Sequence, residues 1–333
     1  MPQRITILGA GNWGTTMTLA LDRMGHRVTL WEFDKAQAEL VAATRRNERF
    51  LPGYVIPQSV LITSDLHAAL IDPQICLLAI PMQTSRSVLQ NARVLPRDTV
   101  VVSLIKGIER ETLARVSEIC TKELEGFTVE RYAAISGPTI APEVAAGLPT
   151  SAVIASASPQ TSALVQREFS SRELRLYTSD DVIGVELAGA LKNVIALAAG
   201  MCDGMGLGFN AKGALLTRGI AEITRLGVSL GGLRQTFAGL SGMGDLITTC
   251  FSPHSRNRTV GERIGRGAAP ADVLRDMVMV AEGVWTARAA LDLAQKHGVE
   301  MPITAAVCGV LEQGKDPRAA VGELMLRNLK AED

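Results

Sequence analysis

The chain has 333 residues, enough for two domains with sizeable cores. Lys+Arg and Asp+Glu both total 34, so no net field draws it toward nucleic acid or into an anionic membrane surface, and any anion must be recognised locally. Cys76, Cys120, Cys202, Cys250 and Cys308 form no Cys-x-x-Cys pair and the four histidines are scattered, a pattern that predicts reduced thiols, a cytoplasmic protein and no metal. The first apolar run, "ITILGAG" at 5–11, begins so early that no signal peptide is expected, and no uninterrupted apolar stretch is expected to reach the length of a membrane span.

Further strand-like runs follow at 27–33, 75–81, 99–107, 132–138 and 151–158. Amphipathic stretches such as 15–24 and 112–124 lie between several of them. Short apolar strands alternating with helices predict a mostly parallel sheet covered on both faces. The run at 174–179 is expected to add an edge strand. After Asp180 the pattern changes to helical spacing over 181–203, 210–227, 283–298, 302–313 and 317–330, with Gly and Pro between. The expected division is therefore an α/β domain over 1–180 and an all-α domain over 181–333.

"GAGNWG" at 9–14 is a G-x-G-x-x-G placed where the first strand turns into a helix. In that context Gly9 allows the tight turn, Gly11 lets a pyrophosphate approach the backbone, and Gly14 lets helix and strand pack closely. The helix N-terminus then offers unpaired N–H groups to the phosphates. This makes the first domain Rossmann-like. Glu32, at the end of the second strand and eighteen residues beyond Gly14, suits the ribose hydroxyls and repels a 2′-phosphate, which favours NAD over NADP. The plainer alternative is a solvated strand-end carboxylate, and Arg27, Lys35 and Arg45 lie near enough in sequence to build a phosphate-tolerant site.

"VELAGALKNVIALAAG" at 185–200 reads as a buried helix with a lysine in its middle. Lys192 shares a face with Ala188, Gly189, Ile195 and Ala196. Its ammonium must snorkel to water, form an ion pair or do chemistry in a cleft, because an unpaired buried charge costs too much. A second polar cluster spans 241–265: a glycine-rich lead-in, Asp245, two threonines and the run Ser255-Arg256-Asn257-Arg258. An arginine between Ser and Asn at a helix start suits a phosphate; a solvated loop is the alternative.

Six blocks in order, "GAGNWG" (9–14), "SLIKGIE" (103–109), "SGPTIAPEVAAGLPT" (136–150), "ELAGALKNVIALAAG" (186–200), "GLSGMGDLITTC" (239–250) and "SRNRTVG" (255–261), carry a resemblance to the NAD(P)-dependent glycerol-3-phosphate dehydrogenase family along nearly the full chain. The resemblance implies hydride transfer between NAD(P)H and the phosphorylated small molecule dihydroxyacetone phosphate, giving sn-glycerol 3-phosphate for phospholipid synthesis. By position it implies that Lys192 is the proton donor and acceptor, with Lys106 and Asp245 beside the reacting carbonyl. Gly137, Thr139, Ser255, Arg256 and Asn257 match further substrate contacts, with Arg256 on the phosphate and within reach of the cofactor. Asn12, Trp13, Ala141, Val280 and Glu282 match dinucleotide contacts, as does Lys106. Phe33 stands where many members carry a base that favours NADP, so the pair Glu32–Phe33 departs from that pattern. Burial and a second cation are expected to lower the Lys192 pKa while Asp245 opposes them. Ala188, Gly189 and Ala196 are expected to leave room for substrate and cofactor beside the helix. A homodimer is expected through the helical domain. Two other readings remain open from the residues: a hydroxyacid dehydrogenase of similar build, and a non-catalytic dinucleotide sensor.

Overall fold

The computed structural model describes residues 1–277, 279–329, 331 and 332. Its strands are β1 (Arg4–Leu8), β2 (Arg27–Trp31), β3 (Leu61–Thr63), β4 (Ile75–Leu78), β5 (Val100–Ser103), β6 (Tyr132–Ser136), β7 (Thr150–Ala155) and β8 (Leu174–Ser179). They form one sheet in the order β3-β2-β1-β4-β5-β6-β7-β8. Only β6 and β7 run antiparallel; all other neighbours are parallel. The expected edge strand, β8, is at one edge. The other edge strand, β3, has three partly exposed residues, too few to show a period in the sequence.

Helices α1 (Asn12–Arg23), α2 (Lys35–Thr44), α3 (Leu66–Ala69), α4 (Met82–Asn91), α5 (Val116–Glu123), α6 (Ala141–Ala145) and α7 (Pro159–Phe169) alternate with the strands. Alternate strand residues feed two separate cores. Ile75 and Leu77 enter one, Cys76 and Leu78 the other, as a sheet covered on both faces requires.

From Val182 onward the described residues hold helices and no strand: α8 (Val182–Met205), α9 (Gly208–Ser229), α10 (Arg234–Ala238), α11 (Asp245–Phe251), α12 (Arg256–Gly265), α13 (Pro270–Arg275), α14 (Glu282–Lys296), α15 (Pro302–Gln313) and α16 (Pro317–Met325). The short helices α10, α11 and α13 were not expected, because each has too few turns to show a 3.6-residue repeat. The last helix stops at Met325, short of 330, and Lys330 itself lies outside the described residues.

α8 is the axis of this half. Asp181 caps it by accepting from Gly184 N at 2.8 Å, and Gly206 ends it in the left-handed conformation, φ 70°. By length and composition it alone among the described helices could cross a membrane, although Glu186 and Lys192 interrupt its apolar run; it is instead buried at the centre of the helical core. Its small residues serve backbone contact. A Cβ at Gly200 would fall 2.0 Å from Arg258 O, and one at Gly261 would fall 2.0 Å from Leu197 O. The α8 and α12 backbones therefore touch, which fixes the first turn of α12 against the helix that carries Lys192. Ala188 and Ala196 are fully buried in the helical core, so the room expected there for ligands does not exist.

Candidate active site

β1 pairs with β2 on one side and β4 on the other, so the chain reverses direction across the sheet at its carboxyl end. Ligands enter open α/β sheets at such a point. Gly9 turns there with φ +105°, and a Cβ on it would meet Ala79 O at 2.8 Å. A Cβ on Gly14 would fall 1.7 Å from Gly9 O, so strand and helix touch. Gly11 faces open space: nothing lies within 4 Å of the side chain it lacks. α1 begins immediately after it with no side-chain cap, which leaves its first N–H groups free for an anion. Asn12 Oδ1 is buried without a hydrogen-bond partner. Trp13 lines a cavity with Lys106 and Thr139. Ala141 opens α6, and its carbonyl accepts from Thr16 Oγ1 on α1 at 3.3 Å. A dinucleotide fits this end of the sheet: the glycine cradle, the uncapped helix and the orphaned amide oxygen are what its phosphates and polar groups require.

Glu32 follows β2, and its Oε1 accepts from Asp34 N at 3.1 Å. Burial pushes its carboxyl above the ordinary value, with the Asp34 amide opposing. Phe33 is 80% exposed and meets Trp31 edge-on at 6.3 Å. Arg45 is turned away, donating to the carbonyls of Ile56, Pro57 and Val60. Lys35 pairs with Glu39. The cation that Glu32 feels is Arg49, whose guanidinium lies 4.9 Å from the Phe50 ring centre.

Lys106 follows β5, Gly137 and Thr139 follow β6, Lys192 is in mid-α8, and Asp245 opens α11 beside Thr249 one turn on. These segments meet. Lys106 Nζ donates to Asp245 Oδ2 at 2.6 Å and to Gly137 O at 3.1 Å, and lies 3.4 Å from Thr139 Oγ1. Lys192 Nζ donates to Asp245 Oδ1 at 2.9 Å and to Thr249 Oγ1. Thr249 Oγ1 in turn donates to Asp245 Oδ1 at 3.1 Å. Lys192 is 6% exposed and Asp245 2%, so the snorkelling alternative is excluded. One carboxylate faces two ammonium groups, an excess positive charge held out of water.

The electrostatics follow. Burial lowers the Lys192 pKa to about 8; Asp245 opposes this and Lys106 adds to it. Burial by itself would raise Asp245, but Lys106 and Lys192 together outweigh it and hold the carboxyl below its ordinary value. Asp245 is thus held toward its ionised form, and the Lys192 ammonium is drawn toward neutrality.

The remaining matched residues lie on α12 and α14. Ser255 caps α12 by accepting from Arg258 N at 3.2 Å, as the helix-start pattern predicts. Arg256 Nη1 donates to Val280 O at 2.8 Å. Burial lowers the Arg256 pKa and Glu282 opposes the shift. Glu282 Oε1 accepts from Met82 N at 2.9 Å, while its Oε2 is buried with no partner among the described residues. Burial pushes this carboxyl up against the Met82 amide and Arg256. The Asn257 side chain is committed within the fold, donating to Asn193 Oδ1 at 2.9 Å and accepting from Gly283 N at 3.0 Å. Its expected role at the substrate is therefore limited to its remaining N–H. The residue reading overlooked three participants: Thr249, signalled by its place four residues after Asp245; Asn193, which donates to Lys106 O at 3.4 Å; and Arg49.

Known proteins and family models match the chain over most of its length. Residues 4–162 match the model for the NAD-dependent glycerol-3-phosphate dehydrogenase N-terminus, and residues 181–322 match that for its C-terminus. A glycerol-3-phosphate dehydrogenase (NAD(P)+) of Geobacter sulfurreducens is 49% identical over 333 residues, 100% of this chain and 99% of the relative. The crystal structure of a glycerol-3-phosphate dehydrogenase from Coxiella burnetii superposes with a TM-score of 0.94 at 37% identity, over 98% of this chain and 99% of that one. A D-mandelate dehydrogenase solved with NADH and anilino(oxo)acetate reaches a TM-score of 0.64 at 14% identity over 96% of this chain and 99% of that one, a likeness of fold alone.

Proposed function

The chain belongs to the NAD-dependent glycerol-3-phosphate dehydrogenase family and is an NAD(P)-dependent oxidoreductase interconverting dihydroxyacetone phosphate and sn-glycerol 3-phosphate, and we propose that Lys192 is the proton donor and acceptor of that reaction. Two ammonium groups converging on one buried carboxylate carry the assignment. Reduction at C2 of the ketone turns the carbonyl oxygen into an alkoxide, which needs positive charge and a proton at once. Lys192, with its pKa near 8, can deliver that proton near neutrality and take it back in the reverse reaction. Lys106, paired with Asp245, polarises the carbonyl oxygen and disfavours a second positive charge on Lys192. Asp245 and Thr249 aim the Lys192 amine. Arg256, at the start of α12, meets the substrate phosphate with its forked donors.

A nicotinamide dinucleotide held here would supply or accept the hydride. Gly9, Gly11, Asn12, Trp13 and Gly14 would hold the pyrophosphate, Ala141, Val280 and Glu282 the nicotinamide end, and Glu32 the adenosine ribose. Glu32 and the adjoining Asp34 favour NADH by opposing a 2′-phosphate, with Arg49 as a nearby cation that weakens the preference. The product is the backbone of glycerophospholipids, and supply to their synthesis is the proposed role. The direct test is oxidation of NADH and of NADPH with dihydroxyacetone phosphate, side by side. NADH turnover is expected, with NADPH slower; no turnover with either removes the proposal.

A further inference from the structure

Gly189 lies one turn before Lys192 in the interior of α8, where glycine is among the least favoured residues. Its backbone is ordinary helix, since it is absent from the positive-φ glycines, so conformation does not require it. Its surroundings do. A Cβ at 189 would come within 2.6 Å of Ser136 Oγ and 3.4 Å of Lys106 Cγ. The Lys106 side chain thus runs along a bare patch of α8 on its way to Asp245. The Lys106 main chain is held to the same turn, because Asn193 Nδ2 donates to Lys106 O at 3.4 Å and to Gly189 O at 3.5 Å. Ser136 leads directly into Gly137, whose carbonyl accepts from Lys106 Nζ, and the Ser136 hydroxyl is buried without a partner.

Resting on the role of Lys106 given above, we propose that Gly189 is a positioning residue for Lys106. Its missing side chain lets α8 lie against Ser136 at the end of β6, and so fixes the Gly137 carbonyl that holds Lys106 Nζ over Asp245. An added methyl would meet the Lys106 stem at ordinary contact distance but would clash with Ser136 Oγ, and relieving that clash displaces Ser136 and with it the Gly137 carbonyl. That disturbs the triad without breaking a hydrogen bond of α8.

The test is a set of variants read for folding, turnover and pH profile. Gly189→Ala should keep or raise Tm, since alanine is the better helix former. Its kcat should nonetheless fall roughly tenfold, in keeping with the cost of sub-ångström misplacement of a catalytic group. The basic limb of its reduction profile should shift upward as Lys106 moves from Lys192. Adding Ser136→Ala should restore most of the turnover, because it removes the closest clashing atom. In a Lys106→Ala background, Gly189→Ala should have no further effect. Wild-type turnover for Gly189→Ala would mean that the Ser136 hydroxyl merely swings aside, and would overturn the proposal. So would an equal loss with and without the Lys106 side chain, or no recovery with Ser136→Ala. Full turnover by Lys106→Ala alone would instead overturn the role given to Lys106, and is distinguishable from all of these.

Discussion

Lys106→Met should move the pH dependence of reduction upward, by an amount that the geometry bounds. Lys192 titrates near 8 in the wild type. Reduction needs its ammonium form, so kcat/KM for dihydroxyacetone phosphate should be level below that pH and fall about tenfold per unit above it. Oxidation needs the neutral amine and should rise through the same value. The ratio kcat/KM reports the free enzyme. Both ammonium groups contact Asp245, at 2.6 and 2.9 Å from its two oxygens. Two unit charges sharing one carboxylate repel by about 3 kcal/mol at an effective dielectric of about 20, or about two pKa units. Water entering the space left by methionine weakens this, so the expected shift is about one to two units upward. Initial rates of NADH oxidation across pH 6 to 10.5 would measure it, on residual activity if necessary. A Lys106→Met limb that stays at the wild-type position, or a wild-type profile with no basic limb at all, would refute the electrostatic account of Lys192.

Lys192→Ala should fold normally by circular dichroism yet lose about 10²–10⁴-fold in kcat, the usual worth of a positioned general acid; near wild-type turnover would remove Lys192 from the mechanism. Glu32→Ser should improve kcat/KM for NADPH relative to NADH, and an unmodified protein that already prefers NADPH would contradict the role of Glu32. Arg256→Ala should raise KM and lower kcat for dihydroxyacetone phosphate while barely changing the poor rate with dihydroxyacetone, and Arg256→Lys should recover only part of the loss. Equal damage with both substrates would place Arg256 on the cofactor or in the fold.

What was legible in the sequence was what local pattern encodes. The Gly9–Gly14 turn announced itself because steric demands at Gly9 and Gly14 act within one strand–turn–helix unit. The α12 start was readable from Ser255, whose hydroxyl caps a helix three residues on. α8 stood out by its length and its lone lysine. Residues joined only by the tertiary fold were not readable in this way. No spacing relates Lys106, Lys192 and Asp245, which come from a loop and two helices; they were grouped by family resemblance, and the fold supplies the distances. Arg45 stood out as a base near Glu32 in sequence and Arg49 did not, yet Arg45 is tied to loop carbonyls while Arg49 lies within range of Glu32. The small residues near Lys192 were read as space for ligands. Helix packing and the Lys106 stem occupy that space instead.

The charge arrangement also explains why so much of the helical half is built around α8. A lysine whose folded pKa is near 8, against 10.5 for an ordinary lysine, opposes folding at neutral pH by about 3 kcal/mol. The sign is fixed by the direction of the shift. Between about 8 and 10.5 the unfolded chain holds more protons than the folded one, so this penalty shrinks as pH rises through that window. Asp245 works the other way. Its depressed pKa contributes stability above the ordinary carboxylate range, lost as pH falls through the folded value. One anion shared by two cations cannot cancel both, and the surplus charge is what an alkoxide would meet. Offsetting that local cost falls to apolar packing, and the backbone contact between α8 and α12 supplies it where it is also useful. The same contact that stabilises the helix bearing Lys192 fixes the helix start bearing Arg256. The proposed proton donor and the proposed phosphate ligand are therefore held on two packed helices, while Lys106 reaches them from the sheet along the bare face of Gly189.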